Sequence, residues 1–315
     1  MRFSIVGAGA LGTILGAHLI EAGHEVRMIA RGERAKYLAK NGLRVYGLRE
    51  LALPCTVAGE LDPTLDNDVL IYAVKTYHME AALAASNGVM PNAVFSLANG
   101  VMKNDQLAAV FGAERVLGCM ANFSGEMFTD GTVAFTRNVC LFVGGAEPLA
   151  SGIAQAMNRA GVVSAASAEI ESVEWTKFVG WIALFFMSIS ARTTTGVFLN
   201  NPHLAGIVAS LIREVAALAA ARNIPLLEDS IMPVKGISTL PVADAIEKVR
   251  EAGRDMHAKA PNHRMSSLQD LEAGRQLEVH ETLGYVAREA ERLGIDAPVT
   301  AQCYALAAGL NDLPR

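Results

Sequence analysis

The sequence predicts an α/β domain built on a doubly wound parallel sheet, followed by an all-helical domain. Three observations predict it. The first half alternates short apolar strand-like runs with helical runs, the pattern of a parallel sheet covered on both faces. Its first strand-like run leads straight into a glycine-rich turn and a helix. From about Glu169 onward the apolar spacing is helical throughout. The expected domains are therefore residues 1–168 and 169–315.

Composition narrows the function. A chain of 315 residues has room for two cores. Hydrophobic residues make up 51% and charged residues 19%, which favours packed domains over disorder. A net charge of -5 gives no basic face for nucleic acid, yet leaves room for a small anionic ligand, because local charge decides what a cleft binds. Cys55, Cys119, Cys140 and Cys303 are scattered and form no CxxC pair. They read as buried thiols of a reducing compartment, and no metal is expected. The first twenty residues are apolar enough to imitate a signal peptide, but only Arg2 follows Met1 as a charge, and a glycine pattern runs through the stretch. The apolar run from Phe178 to Ala191 is about 14 residues, short of the roughly 18 that span a bilayer. A cytoplasmic protein without a membrane partner is expected.

Element by element, Arg2 to Val6 reads as a buried strand and Leu11 to Ala22 as a helix ended by Gly23. Glu25 to Ala30 is a second strand, and Glu33 to Asn41 a helix followed by Gly42. Leu43 to Tyr46 and Leu51 to Val57 read as a short antiparallel pair. Asp68 to Val74, Val94 to Leu97 and Arg115 to Asn122 are further strands, and Thr132 to Phe135 with Val139 to Val143 a hairpin. In the second half, Leu204, Ile207, Val208, Leu211, Ile212 and Val215 follow helical spacing. Asp270 to Leu293 reads as one long helix with Gly294 as its C-cap.

The chemistry starts after the first strand. Gly7-Ala8-Gly9-Ala10-Leu11-Gly12 is a GxGxxG loop between strand and helix, the Rossmann-type dinucleotide fingerprint. Gly7 permits the tight turn, Gly9 lets backbone approach a pyrophosphate, and Gly12 allows helix and strand to pack closely. The second strand ends in Ile29-Ala30-Arg31-Gly32-Glu33-Arg34. An acid for the ribose hydroxyl of NAD is missing there, and Arg31 stands where the 2'-phosphate of NADP would lie, so the expected cofactor is NADP(H). Arg34 either assists or is a solvated surface residue, and Glu33 could cap the following helix. Lys75 and Asn99-Gly100 follow successive strands and so fall at the ligand-binding edge of the sheet.

In the helical half, Lys177 sits in Trp175-Thr176-Lys177-Phe178-Val179-Gly180-Trp181-Ile182, too apolar for a surface helix. Such a lysine either snorkels to solvent or faces a cleft. Ser266-Ser267-Leu268-Gln269-Asp270 is followed by Glu278, and two helical turns would bring Asp270 and Glu278 near one face. Taken alone, Ser266 reads as an N-cap and Glu278 as a solvated charge.

With these residues together, the chain resembles the ketopantoate reductases (2-dehydropantoate 2-reductases) over nearly its whole length. The resemblance rests on Gly7 to Gly12, Arg31, Lys75, Asn99-Gly100, the Lys177 helix, and Ser266 to Asp270 with Glu278. It implies a Rossmann domain plus an all-helical domain, with NADPH-dependent reduction of a small 2-oxo acid in the cleft between them. By that resemblance Arg31 and Lys75 would hold the 2'-phosphate, and Asn99 would contact the cofactor near its nicotinamide half. Lys177 would be the catalytic acid, Ser266 a ligand of the substrate carboxylate, and Glu278 a partner of both Lys177 and the cofactor. The chain also departs from the family. Trp181 and Phe185 replace asparagines four and eight residues after the lysine, and His263 replaces one three residues before the serine, with Asn262 adjacent. Trp181 and Asn262 then become candidate substrate contacts, in a pocket narrower and less polar than that of the family. 2-Dehydropantoate remains the leading substrate. The alternatives are another NADP-dependent hydroxyacid dehydrogenase and a non-catalytic NADP(H)-binding sensor. The apolar helical half could bury a homodimer face or be all internal core.

Overall fold

The structure is a computed structural model that describes residues 1–228 and 232–313. The chain divides into two compact units, Met1–Ile170 and Glu171–Arg315.

The first unit runs β1 (Arg2–Val6), α1 (Ala10–Glu21), β2 (Glu25–Ile29), α2 (Gly32–Asn41), β3 (Leu43–Gly47), β4 (Leu51–Leu53), β5 (Thr56–Ala58), β6 (Val69–Tyr72), α3 (Met79–Ala84), β7 (Ala93–Ser96), α4 (Met102–Phe111), β8 (Gly118–Met127), β9 (Val133–Gly144), α5 (Leu149–Arg159) and β10 (Ser164–Ala166). One sheet has the order β5-β2-β1-β6-β7, with every pair parallel. The chain winds outward from β1 through β2 to β5, then returns beside β1 with β6. Strand order therefore reverses between β1 and β6, and ligands of such sheets bind outside the carboxyl ends at that point.

Both faces of this sheet are buried, which explains its unbroken apolar runs. Val69 and Ile71 join the core with Ile14, Leu15 and Leu19 of α1. Leu70 and Tyr72 point the other way, onto Met79 and Leu83 of α3 and Leu107 and Phe111 of α4. The helix α1 has no polar face because it packs against strands of both sheets. The second sheet has the order β10-β9-β3-β4, with β8 also paired to β9.

Two strand expectations change. Residues 133–144 form one continuous strand, β9, and the hairpin partner is β8, antiparallel to it. The expected hairpin within 132–143 does not form, because Arg137 and Asn138 continue the ladder against Ser124 and Phe123, with Thr136 taken up in a bulge. The Leu51 to Val57 run splits: β4 pairs with β3, and after Pro54 the chain crosses to the other sheet, where β5 joins β2. Proline cannot donate to a ladder, so it marks the break.

The second unit is helical among its described residues: α6 (Ile170–Ala191), α7 (Thr195–Asn200), α8 (Pro202–Ala221), α9 (Val234–Thr239), α10 (Val242–Lys259), α11 (Ser266–Glu272), α12 (Leu283–Leu293) and α13 (Pro298–Asp312). Asn201 caps α8, accepting from the His203 and Leu204 amides, with Pro202 in the first turn. This helix is long and apolar enough to cross a membrane, and half of its apolar window is buried within the protein. Gly294 ends α12 in the left-handed conformation, as its position predicts.

The long helix expected over Asp270 to Leu293 is instead two helices. Gly274 adopts φ +65°, the Gly274 amide returns to the Leu271 carbonyl, and the Arg275 amide returns to that of Asp270. These bonds close α11 at Glu272 as a left-handed C-terminal cap does. Asp270 and Glu278 therefore do not share a helix face.

Candidate active site

The carboxyl edge of the parallel sheet gathers the expected cofactor residues. The loop after β1 is Gly7 to Gly12, and Arg31 follows β2 by two residues. Lys75 follows β6, where it opens a single 3-10 turn, Thr76–His78. Asn99 lies three residues beyond β7, beside Gly100 with φ +88°. Because the strands lie β2-β1-β6-β7, these four segments stand side by side in that order.

The glycine loop separates packing from access. A Cβ on Gly12 would overlap the Gly7 carbonyl oxygen, so helix–strand packing alone requires glycine there. At Gly9 a Cβ would meet nothing within 4 Å, and the backbone, with φ -72°, is open to any residue. Nothing among the described residues therefore demands glycine at position 9, whereas an approaching pyrophosphate would. The amides of Gly9, Ala10, Leu11 and Gly12 have no partner among the described residues. Together with the start of a 12-residue helix they form a cradle for an anion. The loop fits a dinucleotide.

Arg31 is exposed at the N-cap of α2, with Nε donating to the Gly59 carbonyl just beyond β5 at 3.2 Å. Glu33 does not cap; it is exposed in the first turn and pairs with Lys36. Arg34 is neither solvated nor at the rim. It is half-buried, and its guanidinium donates to Ala8, Gly131 and Thr13.

In the helical unit, α6 is buried along most of its 22 residues. In its central turns Val173, Lys177 and Trp181 alone stay accessible. They recur at i, i+4 and i+8, a single stripe. Trp181 lies over Phe185 with ring centroids 5.1 Å apart. Phe185 itself is 1% exposed, so it belongs to the core rather than to a pocket wall. Of the two aromatic replacements, Trp181 alone presents surface.

Ser266 is the first residue of α11, not its cap; Met265 holds the cap position. Ser266 is exposed and Ser267 buried. The Ser267 hydroxyl pairs with that of Ser188 on α6 at 2.7 Å, and Ser188 in turn donates to the Phe185 carbonyl. This contact ties α11 to the helix that carries Lys177. Asn262 is exposed, while its neighbour His263 packs back on Thr195 through Nδ1 at 2.9 Å.

Glu278 is 5% exposed, which overturns its reading as a solvated charge. It stands in the segment between α11 and α12, flanked by buried Leu277 and Val279. The Leu277 amide donates to Asn311 on α13, and the Thr282 hydroxyl donates to the Glu278 carbonyl. A carboxylate this buried is held by a partner rather than by solvent, and Glu278 has such an interaction.

Sequence reasoning passed over Lys103. It is 5% exposed on α4, with Nζ donating to the Ala98 and Cys119 carbonyls. The Ala98 bond pins the residue just before Asn99. Lys103, Leu107 and Phe111 make the buried stripe of α4, so the signal was a lysine at an apolar helical position. Among the described residues, no group of three or more His, Cys, Asp or Glu is placed to hold a metal.

Residues 3–147 match the family described as Ketopantoate reductase PanE/ApbA, and residues 169–311 match its C-terminal part. The chain belongs to the ketopantoate reductase family. A 2-dehydropantoate 2-reductase of Archaeoglobus fulgidus is 30% identical, with 98% of each chain covered. Among solved structures, a PanE/ApbA family ketopantoate reductase from Ralstonia eutropha superposes with TM-score 0.82 at 24% identity, covering 99% of each chain. A D-mandelate dehydrogenase in complex with NADH and anilino(oxo)acetate superposes with TM-score 0.84 at 18% identity, over 99% of this chain and 98% of that one. As a ketopantoate reductase family member the protein is an oxidoreductase that works with a nicotinamide cofactor.

Proposed function

We propose that this family member reduces a small 2-oxo acid to the 2-hydroxy acid with NADPH, 2-dehydropantoate to pantoate being the leading reaction. The observation that carries the reading is the stripe on α6: a helix otherwise buried through its centre keeps one cation, Lys177, accessible between Val173 and Trp181.

Bound NADPH supplies a hydride to the carbonyl carbon. The chain's own residues do the rest. The Gly9 to Gly12 amides receive the pyrophosphate, Arg31 and Lys75 the 2'-phosphate, and Asn99 orients the nicotinamide half. As the carbonyl oxygen gains negative charge, the Lys177 ammonium neutralises it and donates the proton, an effect worth about 10²–10⁴-fold. Glu278 orients that ammonium, and the Ser266 hydroxyl holds the substrate carboxylate with help from Asn262.

A second reading has its own observation. Trp181 places an aromatic face beside Lys177, backed by Phe185. That favours a 2-oxo acid with an apolar or aryl tail over the hydroxylated tail of 2-dehydropantoate. The D-mandelate dehydrogenase complex holds an aryl oxo acid on the same fold.

The test is NADPH oxidation over a panel of 2-oxo acids that includes 2-dehydropantoate, branched aliphatic acids and phenylglyoxylate. Preferred turnover of 2-dehydropantoate supports the first reading, and preferred turnover of an aryl acid the second. Tight NADPH binding without turnover of any member leaves a sensor and overturns both. Lys177→Ala should lower kcat by at least about 100-fold with NADPH affinity nearly intact. A fully active variant removes Lys177 from the mechanism.

A further inference from the structure

Arg34 lies on α2, one turn after Arg31, yet its side chain turns back toward the glycine loop. Nε donates to the Ala8 carbonyl oxygen at 2.8 Å, Nη2 to Thr13 Oγ1 at 2.8 Å, and Nη1 to the Gly131 carbonyl at 2.7 Å. The Thr13 hydroxyl donates to the same Ala8 oxygen at 3.2 Å. That oxygen is thus held by two donors that also bond each other. The guanidinium lies 4.9 Å from the Tyr37 ring centroid, and no carboxylate among the described residues pairs with it.

We propose that Arg34 is the positioning residue of the pyrophosphate loop: it holds the Ala8 carbonyl inward and thereby aims the Gly9 amide outward at the bound diphosphate. The inference rests on the reading that Gly7 to Gly12 seats a dinucleotide. Its physical basis is the planar trans peptide, in which the carbonyl of one residue and the amide of the next point in opposite directions. Fixing the Ala8 oxygen against Arg34 and Thr13 therefore fixes the Gly9 N–H on the far side. A Cβ at Gly9 would meet nothing within 4 Å, and the Gly9 amide has no partner among the described residues, so the position is open to a ligand. Glycine at position 9 leaves this peptide free to rotate about its φ, so an external clamp has a task there. Arginine suits it because its fork is rigid and keeps its charge. A lysine would bring the same charge, but its three N–H donors leave one nitrogen on a flexible stem and cannot span acceptors that the three guanidinium nitrogens reach separately. The positive charge left without a carboxylate also lowers the cost of bringing a diphosphate to the loop.

The experiment uses the full chain as wild type, Arg34→Lys, Arg34→Ala and Thr13→Val. Each is titrated calorimetrically with NADPH and with adenosine 2'-monophosphate, which carries the 2'-phosphate and no diphosphate. Thermal unfolding without ligand checks that each variant folds. Misaiming a donor to a charged phosphate should weaken NADPH about 10- to 100-fold in both Arg34 variants. Thr13→Val should weaken it about 3- to 10-fold, the effect of a neutral hydrogen bond. Adenosine 2'-monophosphate affinity should stay within about twofold of wild type throughout.

Wild-type NADPH affinity in Arg34→Lys would overturn the proposal, leaving charge alone as what matters. Parallel losses for both ligands would overturn it too, because Arg34 would then touch the 2'-phosphate directly. If Arg34→Ala does not fold, the lysine and Thr13 variants carry the test. A wild-type chain that binds no NADPH overturns the cofactor reading itself, a result separate from any difference among the variants.

Discussion

At the scale of single residues, Arg31 and Arg34 stand one helical turn apart in different surroundings. Arg31 is exposed at the sheet edge, whereas Arg34 is drawn beneath the loop and burial pushes its guanidinium pKa down. Because Arg31 is exposed, the role proposed for it in choosing the cofactor would cost little in the fold. Arg31→Ala should raise the KM for NADPH by about 10- to 100-fold, the loss of a charge-assisted contact, and the KM for NADH far less. The gap should narrow as salt rises, since the contact is exposed. Steady-state kinetics with both cofactors reads it, and equal effects on the two mean that Arg31 does not touch the 2'-phosphate. The two arginines look alike in the sequence. Arg34 bonds to carbonyls at Ala8 and Gly131, and backbone acceptors leave no trace in the residue types that supply them.

At the scale of elements, α13 depends on α8 for its start. Glu214 of α8 accepts from the Val299 amide at 3.0 Å, the Thr300 amide at 2.7 Å and the Thr300 hydroxyl at 2.6 Å. The carboxylate thus caps a neighbouring helix and meets the positive end of its dipole. Glu214→Ala should cost about 1–3 kcal/mol in denaturant unfolding, since it strands buried donors. A loss below about 0.5 kcal/mol would mean that water replaces the cap. Periodicity locates α8 well, because Val208, Leu211, Ile212 and Val215 all turn inward. It fails between α11 and α12, where apolar spacing carries across Leu277 and Val279 although Gly274 has already ended the helix. Buried loop residues imitate a helical stripe, and only a left-handed glycine betrays the break. The same limit hid the single length of β9: Arg137 and Asn138 are polar, yet they remain in the ladder. Of the candidate site, strand-end placement was legible for Gly7 to Gly12, Arg31, Lys75 and Asn99. The burial of Glu278 and the Ser188–Ser267 pair were not, because they arise from segments far apart in the chain.

At the scale of the whole molecule, acid sensitivity has an identifiable source. His18 on α1 bonds the Ala160 carbonyl through Nδ1 at 2.7 Å, joining positions 142 residues apart, and its Nε2 is buried with no partner among the described residues. Burial lowers its pKa below the usual 6.5, while Glu21 and Arg49 act on it with opposite signs. Both folded and unfolded imidazoles are neutral above that value, so the contribution to stability is complete there. As pH falls, the unfolded chain takes up a proton that the folded ring refuses, and stability drops until the folded pKa is passed. Unfolding free energy should therefore decline as pH falls below the usual imidazole value of 6.5, with a slope from this one group of at most about 1.4 kcal/mol per pH unit, and melting temperature should fall with it. His18→Gln should flatten that decline; an unchanged slope would move the acid sensitivity elsewhere. The β8–β9 turn has a reach of the same kind. Gly131 lies so near Tyr37 that a Cβ would strike the ring, and its carbonyl anchors Arg34. A hairpin tip is ordinarily where evolution or an engineer adds residues at little risk. Here an inserted residue would loosen the anchor of Arg34, 97 positions upstream in the chain, and nucleotide handling would drift without any change to the fingerprint itself.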